Sequence, residues 1–195
     1  MNRKAVIRIL SMVMLLLSPL CIHATKFIKL SIIDKDYLML QFRDGEVRYR
    51  DDGTGSSAYL GHTFVEGDDT LKVFGRRLNT SIAASAEEWT ISSKDDSTFG
   101  NQKVRMVSRK SKPMNTDNTL TSELDHWIFL QLPQSMKQGC TYSVTIPSGL
   151  NSDIKEAEVK FDIWNSQSEA VHVNILGYVP QEPLKAADLY LWLGN

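Results

Sequence analysis

Short runs in which apolar and polar residues alternate, separated by turn-forming residues, constrain the fold of this chain most strongly. Alternation with a period of two residues is typical of strands that bury one face. The clearest runs are residues 26–33, 38–43, 127–132, 141–146 and 158–163. No segment keeps a helical period over three turns, and residues 81–89 come nearest to one. The sequence therefore predicts an all-β chain built as a two-sheet sandwich.

Two connections between these strands follow from their turn residues. Asp44-Gly45 lies between the run 38–43 and a second alternating run that contains Val47 and Tyr49. An Asp-Gly pair in this position is a strong signal for a tight hairpin, so the two runs are expected to pair with each other. The stretch from Ser108 to Ser122 is polar, and it is expected to be a long exposed loop.

Residues 1–24 have the features of a secretory signal peptide. A basic start precedes an apolar run from Ile9 to Leu17, and Ala24 offers a small residue at the cleavage site. The run is too short for a permanent transmembrane helix. A lipoprotein signal ending at Cys21 is the alternative, although Leu20 is bulky where a small residue is expected. We therefore predict a secreted or periplasmic protein, with a lipid-anchored one as the alternative.

Charge and cysteine content exclude several classes of protein. Without residues 1–24 the chain keeps 19 Lys and Arg against 23 Asp and Glu, because the leader holds three basic residues and no acidic one. This mildly acidic balance argues against a nucleic-acid partner, and no remaining apolar run is long enough to span a membrane. Cys140 is then the single cysteine, so no internal disulfide is expected. We expect it to be inert and half-buried rather than a nucleophile.

The last part of the chain, from Ala170 to Asn195, has a pattern of its own. Val171 and Val173 alternate with polar residues, and a glycine and two prolines follow. Three leucines, Leu189, Leu191 and Leu193, then alternate with other residues and predict a second strand. Because two strands are only marginally stable in water, this tail is expected to need a partner sheet.

The tail resembles the start of the immunoglobulin-like domain that precedes the catalytic module in family-nine glycoside hydrolases. The matching positions are Val171, Val173, Asn174, Gly177, Tyr178, Pro180 and Lys185. Ile175 departs from the pattern, in which Gln is usual. The resemblance implies that residues 170–195 are the incomplete start of a cellulase-type immunoglobulin-like domain. In that family the catalytic acids lie in a helical barrel further downstream, and the Asp-Ala-Gly-Asp motif has no counterpart here, so no catalytic role is carried over.

A second resemblance covers the preceding segment. Leu132-Pro133, Gly139, Tyr142 to Ile146 and Gly149 to Asp153 follow the order of loop, strand and polar turn found in bacterial immunoglobulin-like repeats. This resemblance implies an immunoglobulin-like β-sandwich over residues 25–165, with a spacer or accessory role. The linker, residues 165–169, is short, so the two domains are expected to touch.

Acidic clusters and histidines are the candidates for chemistry. Asp51–Gly55 and Glu66–Asp69 surround glycine turns with oxygen donors, as a structural calcium ion would require. They lack the spacing of a calcium loop, so solvated turns are expected, with a bound cation as the alternative. Similar turn signals occur at Asp34, Asp36, Asp95 and Asp96.

The histidines, His62, His126 and His172, form no ligand pair. His126, beside Asp125 and Trp127, is either a fragment of a site or a histidine at a strand end. We therefore predict no catalytic, cofactor-binding or metal-ligating residue in this chain, and no cofactor.

Aromatic side chains are the remaining route to function, because sugars stack on exposed rings. The available rings are Tyr37, Tyr49, Tyr59, Trp89, Trp127 and Trp164. Core packing is expected for each. Trp127 is expected to face the core, and Trp89 is the one considered for exposure.

Two functions of different classes follow. The first is the non-catalytic accessory region of a secreted, polysaccharide-degrading glycoside hydrolase, with a downstream catalytic module of the same protein as its partner. The second is a carbohydrate-binding or surface-adhesion β-sandwich without an enzymatic module. Whether the parent protein is an enzyme stays uncertain from these residues, and polysaccharide is the expected external partner.

Overall fold

The structure is a computed structural model that describes residues 24–50, 70–116, 120–173 and 177–193. Its strands are β1 (Lys26–Ile32), β2 (Tyr37–Asp44), β3 (Glu46–Arg50), β4 (Thr70–Phe74), β5 (Thr90–Ser93), β6 (Gln102–Lys103), β7 (Met106–Thr116), β8 (Ser122–Gln131), β9 (Thr141–Thr145), β10 (Glu156–Lys160), β11 (Val171–His172) and β12 (Asp188–Leu189). Helical structure in the described ranges is limited to α1 (Thr80–Ala83) and a 3-10 turn at Ala86–Glu88. The all-β class is therefore confirmed. No helix among these residues is long and apolar enough to cross a bilayer.

Two four-stranded antiparallel sheets form the body of the described chain. The first sheet has the order β1-β2-β8-β7, and the second has the order β10-β9-β5-β6. In the first sheet Leu40 of β2 lies opposite Ile128 of β8, and Arg109 of β7 lies opposite the same isoleucine. In the second sheet Ile91 of β5 lies opposite Val144 of β9.

One hydrophobic core lies between the two sheets. Its completely buried members include Leu40, Phe42, Ile128 and Leu130 of the first sheet and Ile91, Tyr142 and Val144 of the second. Burying such a side chain contributes about 1.5–3 kcal/mol. Trp89 is also fully buried, and its indole nitrogen donates to the carbonyl oxygen of Ala83 at 3.1 Å. The short helix α1 is thereby tied to the core.

The predicted hairpin between the runs on either side of Asp44-Gly45 is wrong. β2 pairs with β1 on one edge and with β8 on the other, so neither edge is free for β3. β3 pairs with β4 instead, in a separate two-stranded sheet. Gly45 has a φ of 78°, a left-handed conformation that suits glycine. It redirects the chain from one sheet to the other rather than reversing it.

The predicted loop from Ser108 to Ser122 is also wrong over most of its length. Residues up to Thr116 belong to β7, which pairs with β8 along the edge of the first sheet. An edge strand tolerates polar residues and a proline, because one side of it makes no ladder hydrogen bonds. Pro113 lies within β7, and the register shifts between Pro113 and Thr116.

The tail forms only short strands but packs on the first sheet. β11 and β12 pair over two residues each. Leu191 and Leu193 lie against a small second apolar cluster made of Ile33, Met39 and Phe129, on the side of the first sheet that faces away from the main core. The expected second domain over residues 170–195 stays a prediction. The signal peptide also stays a prediction, because residues 1–23 lie outside the described ranges.

Candidate functional site

The side of the first sheet that faces away from the main core carries a mixed aromatic and polar surface. Alternation along the strands places Gln41 of β2 and Lys110 of β7 on either side of Trp127 of β8. One pair further along, Arg43 and Lys112 lie on either side of Asp125. We call these six residues the Trp127 surface. Trp127 was expected to face the core, and this expectation is wrong, because odd-numbered residues of β8 point to the opposite side from Ile128 and Leu130.

Cations and hydrogen bonds organise the Trp127 surface. The ammonium groups of Lys110 and Lys112 lie 5.6 and 5.9 Å from the centre of the Trp127 ring, within the range of cation–π attraction. Asp125 accepts hydrogen bonds from Arg43 Nε at 2.6 Å and Arg43 Nη2 at 2.9 Å, and from Gln41 Nε2 at 3.0 Å. The hydrogen bond from the guanidinium to Asp125 raises the pKa of Arg43. A partly buried ring with cations and an amide beside it can stack on a sugar and hydrogen-bond its hydroxyls.

A second polar group lies at one end of the main core, on the opposite face of the same sheet. His126 is 1% exposed, and its Nε2 atom lies 2.9 Å from Oδ2 of Asp44, which is 2% exposed. The other ring nitrogen, Nδ1, lies 2.7 Å from Oγ of Ser111 on β7. Arg109 Nη1 lies 3.5 Å from the same Nδ1 and donates to Ser111 Oγ. We call Asp44, Arg77, Arg109, Ser111 and His126 the Asp44 cluster.

The carboxylate of Asp44 is held from several directions. Arg77 Nη1 donates to Oδ1 at 2.8 Å, and the backbone nitrogens of Leu78 and Leu124 donate at 3.2 Å. Burial alone would raise the pKa of Asp44, but hydrogen bonds from His126 and Arg77 outweigh it and lower the pKa below its ordinary value. Asp44 is therefore a fixed negative charge beside the imidazole of His126.

A third polar group, around Asp96, joins loops of the second sheet. Asp96 accepts from Lys137 Nζ at 2.7 Å, from the Tyr142 hydroxyl at 2.9 Å, and from the backbone and hydroxyl of Thr98. Burial would raise the pKa of Asp96, but the hydrogen bonds from Lys137, Thr98 and Tyr142 lower it strongly. Burial, together with the neighbouring Asp96, raises the pKa of Tyr142. Every polar atom named here has a partner within the fold, so this group has a structural role.

The other predicted candidates lie apart from these groups. Cys140 is partly buried, and its Sγ atom donates to the carbonyl oxygen of Asp95 at 3.7 Å. His172 stacks on Tyr190 in the tail, with ring centres 4.2 Å apart. Asp34 accepts from the backbone nitrogen of Asp36 at 2.7 Å, as expected for a turn.

Several candidates fall outside what the structure covers. Asp51–Gly55, Glu66–Asp69, His62 and Tyr59 lie outside the described residues, and only the backbone of Tyr49 is described. Among the residues that are described, no group of three or more His, Cys, Asp or Glu side chains could hold a metal ion.

The aromatic candidates divide between core and surface. Trp89 is buried, so the exposure considered for it does not occur. Trp164 is 82% exposed and lies at the start of the linker, away from the core expected for it. Tyr37 packs at the edge of the second apolar cluster with Trp127.

Sequence reasoning missed the Asp44 cluster almost completely. It considered His126 only with its sequence neighbours Asp125 and Trp127, whose side chains lie on the other face of the sheet. The available signal was strand parity, because His126 shares its face with Ile128 and Leu130 and so had to be buried with a partner.

Comparisons with protein-family models, with curated proteins and with solved structures give no match.

Proposed function

We propose that this chain is the non-catalytic accessory region of a secreted, polysaccharide-degrading glycoside hydrolase. In this proposal an immunoglobulin-like β-sandwich braces the catalytic module through the tail. The observation that carries it is the packing of the tail on the first sheet. Trp192 meets Phe129 edge-on with ring centres 5.7 Å apart, beside Leu191 and Leu193.

The linker is fastened to the same sheet before the tail begins. Ser168 Oγ donates to the carbonyl oxygen of Ile33 at 2.5 Å, and the backbone nitrogen of Glu169 donates to Ile32 at 3.3 Å. The Glu169 carboxylate also pairs with Lys29 at 2.5 Å. A linker held by backbone and side-chain contacts transmits the position of one domain to the next, which a flexible tether does not do.

Exposed apolar side chains of the tail support contact with a further module. Several of its large apolar side chains are exposed: Val173, Val179, Leu184, Leu189 and Tyr190. An exposed apolar patch of this kind is typical of a surface that binds another protein segment. A bracing role requires contact with the first sheet and side chains that remain free to meet the next module, and this combination supports the proposal.

Stabilisation of an attached catalytic module tests the proposal. A family-nine catalytic module joined after Asn195 is expected to inactivate more slowly on heating than the same module alone. Trp192→Ala removes the contact with Phe129, worth about 0.5–1.5 kcal/mol beyond burial, and is expected to shorten the half-life. Trp164→Ala is the matched control, since Trp164 is exposed and makes no ring contact within the described residues. Equal half-lives with and without residues 25–195 would contradict the proposal.

The chain alone is expected to release no reducing sugar from β-glucan.

The alternative is a carbohydrate-binding or surface-adhesion protein, and the Trp127 surface is the observation that favours it. An aromatic ring beside Gln41, Lys110 and Asp125 offers stacking together with hydrogen-bond donors and acceptors. Retention of the chain by insoluble β-glucan measures such binding. Trp127→Ala is expected to weaken retention about tenfold, equivalent to about 1.4 kcal/mol, whereas Trp164→Ala leaves it unchanged. If the wild-type chain is not retained, this alternative is excluded for β-glucan.

A further inference from the structure

Ser111 has an accessible hydroxyl attached to a buried chain of hydrogen bonds. Its side chain is exposed on the edge strand β7, directly opposite His126 on β8. From Ser111 the hydrogen bonds run through the imidazole to the carboxylate of Asp44, at 2.7 and 2.9 Å. A hydroxyl, an imidazole and a carboxylate joined in this order are the elements of an activated nucleophile.

The hydrogen bonds around the imidazole are compatible with a neutral ring that accepts at Nδ1. Arg109 can only donate, so the hydrogen bond from its Nη1 to Ser111 uses one Oγ lone pair, and with a neutral imidazole the hydroxyl proton is directed at His126 Nδ1. Nδ1 is then an acceptor, and the proton of the neutral ring is on Nε2, which donates to Asp44. In this tautomer the imidazole can remove a proton from Ser111.

We propose that Ser111 is a nucleophile for acyl transfer from small carboxylic esters, with His126 as its general base and Asp44 as a positioning residue. This activity goes beyond the bracing role proposed above, which is non-catalytic toward the polysaccharide, and does not depend on it. It uses the opposite face of the first sheet from the Trp127 surface. Along its own face of β7 the neighbours of Ser111 are Arg109 and Pro113, which offer no long apolar track, so the acyl group is a short one.

The step balances with water as the only co-reactant. Ser111 Oγ attacks the carbonyl carbon of the ester while its proton moves to His126 Nδ1, and the carbonyl oxygen becomes an oxyanion. The C–O bond to the alcohol then breaks, and the alcohol leaves with the proton from Nδ1, so Ser111 carries the acyl group. Water, deprotonated by the same Nδ1, attacks this acyl-enzyme, and the acid is released as Ser111 recovers its proton.

Arg109 is placed to stabilise the oxyanion. Its Nη1 already contacts Ser111 Oγ, and its Nε is a buried nitrogen without a hydrogen-bond partner in the described part of the chain. A cationic donor beside the attacking oxygen stabilises the charge that develops on the neighbouring carbonyl oxygen.

Covalent labelling tests the proposal without knowledge of the natural ester. The full chain is incubated with an alkyl fluorophosphonate, and intact mass followed by peptide mapping locates the adduct. One adduct on Ser111 is expected. Ser111→Ala is expected to abolish it, and Ser108→Ala, on the other face of the same strand, is expected to retain it. The release of nitrophenol from p-nitrophenyl acetate is expected to fall at least 100-fold in Ser111→Ala, in the range that a catalytic group contributes.

His126→Gln separates chemistry from folding. It is expected to slow labelling by roughly 100-fold in protein whose circular dichroism at the assay temperature matches that of the wild type. If this variant unfolds, Ser111→Ala, which changes an exposed side chain, decides the question alone. No adduct on the folded wild-type chain, or an adduct spread over several serines and unaffected by Ser111→Ala, would overturn the proposal.

Discussion

The imidazole of His126 and the carboxylate of Asp44, 82 positions apart in sequence, form a hydrogen bond of 2.9 Å at one end of the main core. Both side chains are almost inaccessible to solvent. The bond joins the end of β2 to the middle of β8, where the apolar core gives way to polar residues. Removing this bond is therefore expected to destabilise the fold, whether or not Ser111 reacts.

Asp44→Asn is expected to destabilise the fold strongly. Removing one partner of a buried pair leaves the other charge without compensation, which costs about 3–5 kcal/mol. Here Arg77 would lose its carboxylate, although its partial exposure reduces the penalty, so we expect about 2–4 kcal/mol. The free energy of unfolding in urea measures the loss. Asp188→Asn, in the exposed tail, is the control and should change stability by less than about 0.5 kcal/mol. Equal effects of the two substitutions would show that the cluster contributes nothing.

Tyr142→Phe isolates the contribution of one buried hydroxyl. The ring stays in place against Phe99, with centres 4.8 Å apart, but the Asp96 carboxylate and the backbone nitrogen of Lys137 each lose a partner. Asp96 keeps its hydrogen bonds from Lys137 and Thr98, but losing one hydrogen bond to a charged group costs about 1.5–3 kcal/mol. Thermal and chemical unfolding should both report this decrease. Tyr190→Phe, at an exposed ring, is the control and is expected to be neutral; a neutral Tyr142→Phe would mean that water replaces the hydroxyl.

Acid is expected to destabilise the protein through the same aspartates. The pKa values of Asp44 and Asp96 in the folded chain lie below their ordinary value of 3.8. A depressed pKa contributes stability that is fully present above the unfolded value and is lost as the pH falls through the folded one. The free energy of unfolding should therefore be flat near neutral pH and decrease below about pH 4. Asp96→Asn should make this decrease less steep, and an unchanged slope in that variant would contradict the assignment.

Strand positions could be predicted from alternation, but pairing could not. β2 and β8 each bury one face in the core, so the period of two is visible in their sequences. The neighbours of β2 in the sheet are β1 and β8. Because β8 follows β2 some 80 residues later, no local turn signal could indicate that they pair. β7 was missed because an edge strand needs no apolar alternation on its exposed side.

The Asp44 cluster could not be predicted for a related reason. Its members come from β2, β7, β8 and the segment before α1, so no spacing in the sequence connects them. Asp44 itself was assigned to a turn because Gly45 follows it. Only the register of the first sheet, which sets Ser111 opposite His126, brings the three groups together.

Gly45→Ala tests whether the junction between β2 and β3 depends on a left-handed residue. With φ at 78°, an alanine at this position is strained by about 1–2 kcal/mol. Gly100→Ala is the matched control, because Gly100 lies outside the left-handed region and a Cβ there would meet no atom within 4 Å. We expect Gly45→Ala to lower the free energy of unfolding by that amount and Gly100→Ala to leave it unchanged or slightly higher, since alanine restricts the unfolded chain. If both variants are neutral, the chain passes from the first sheet to β3 without requiring glycine, and the positive φ is not what redirects it.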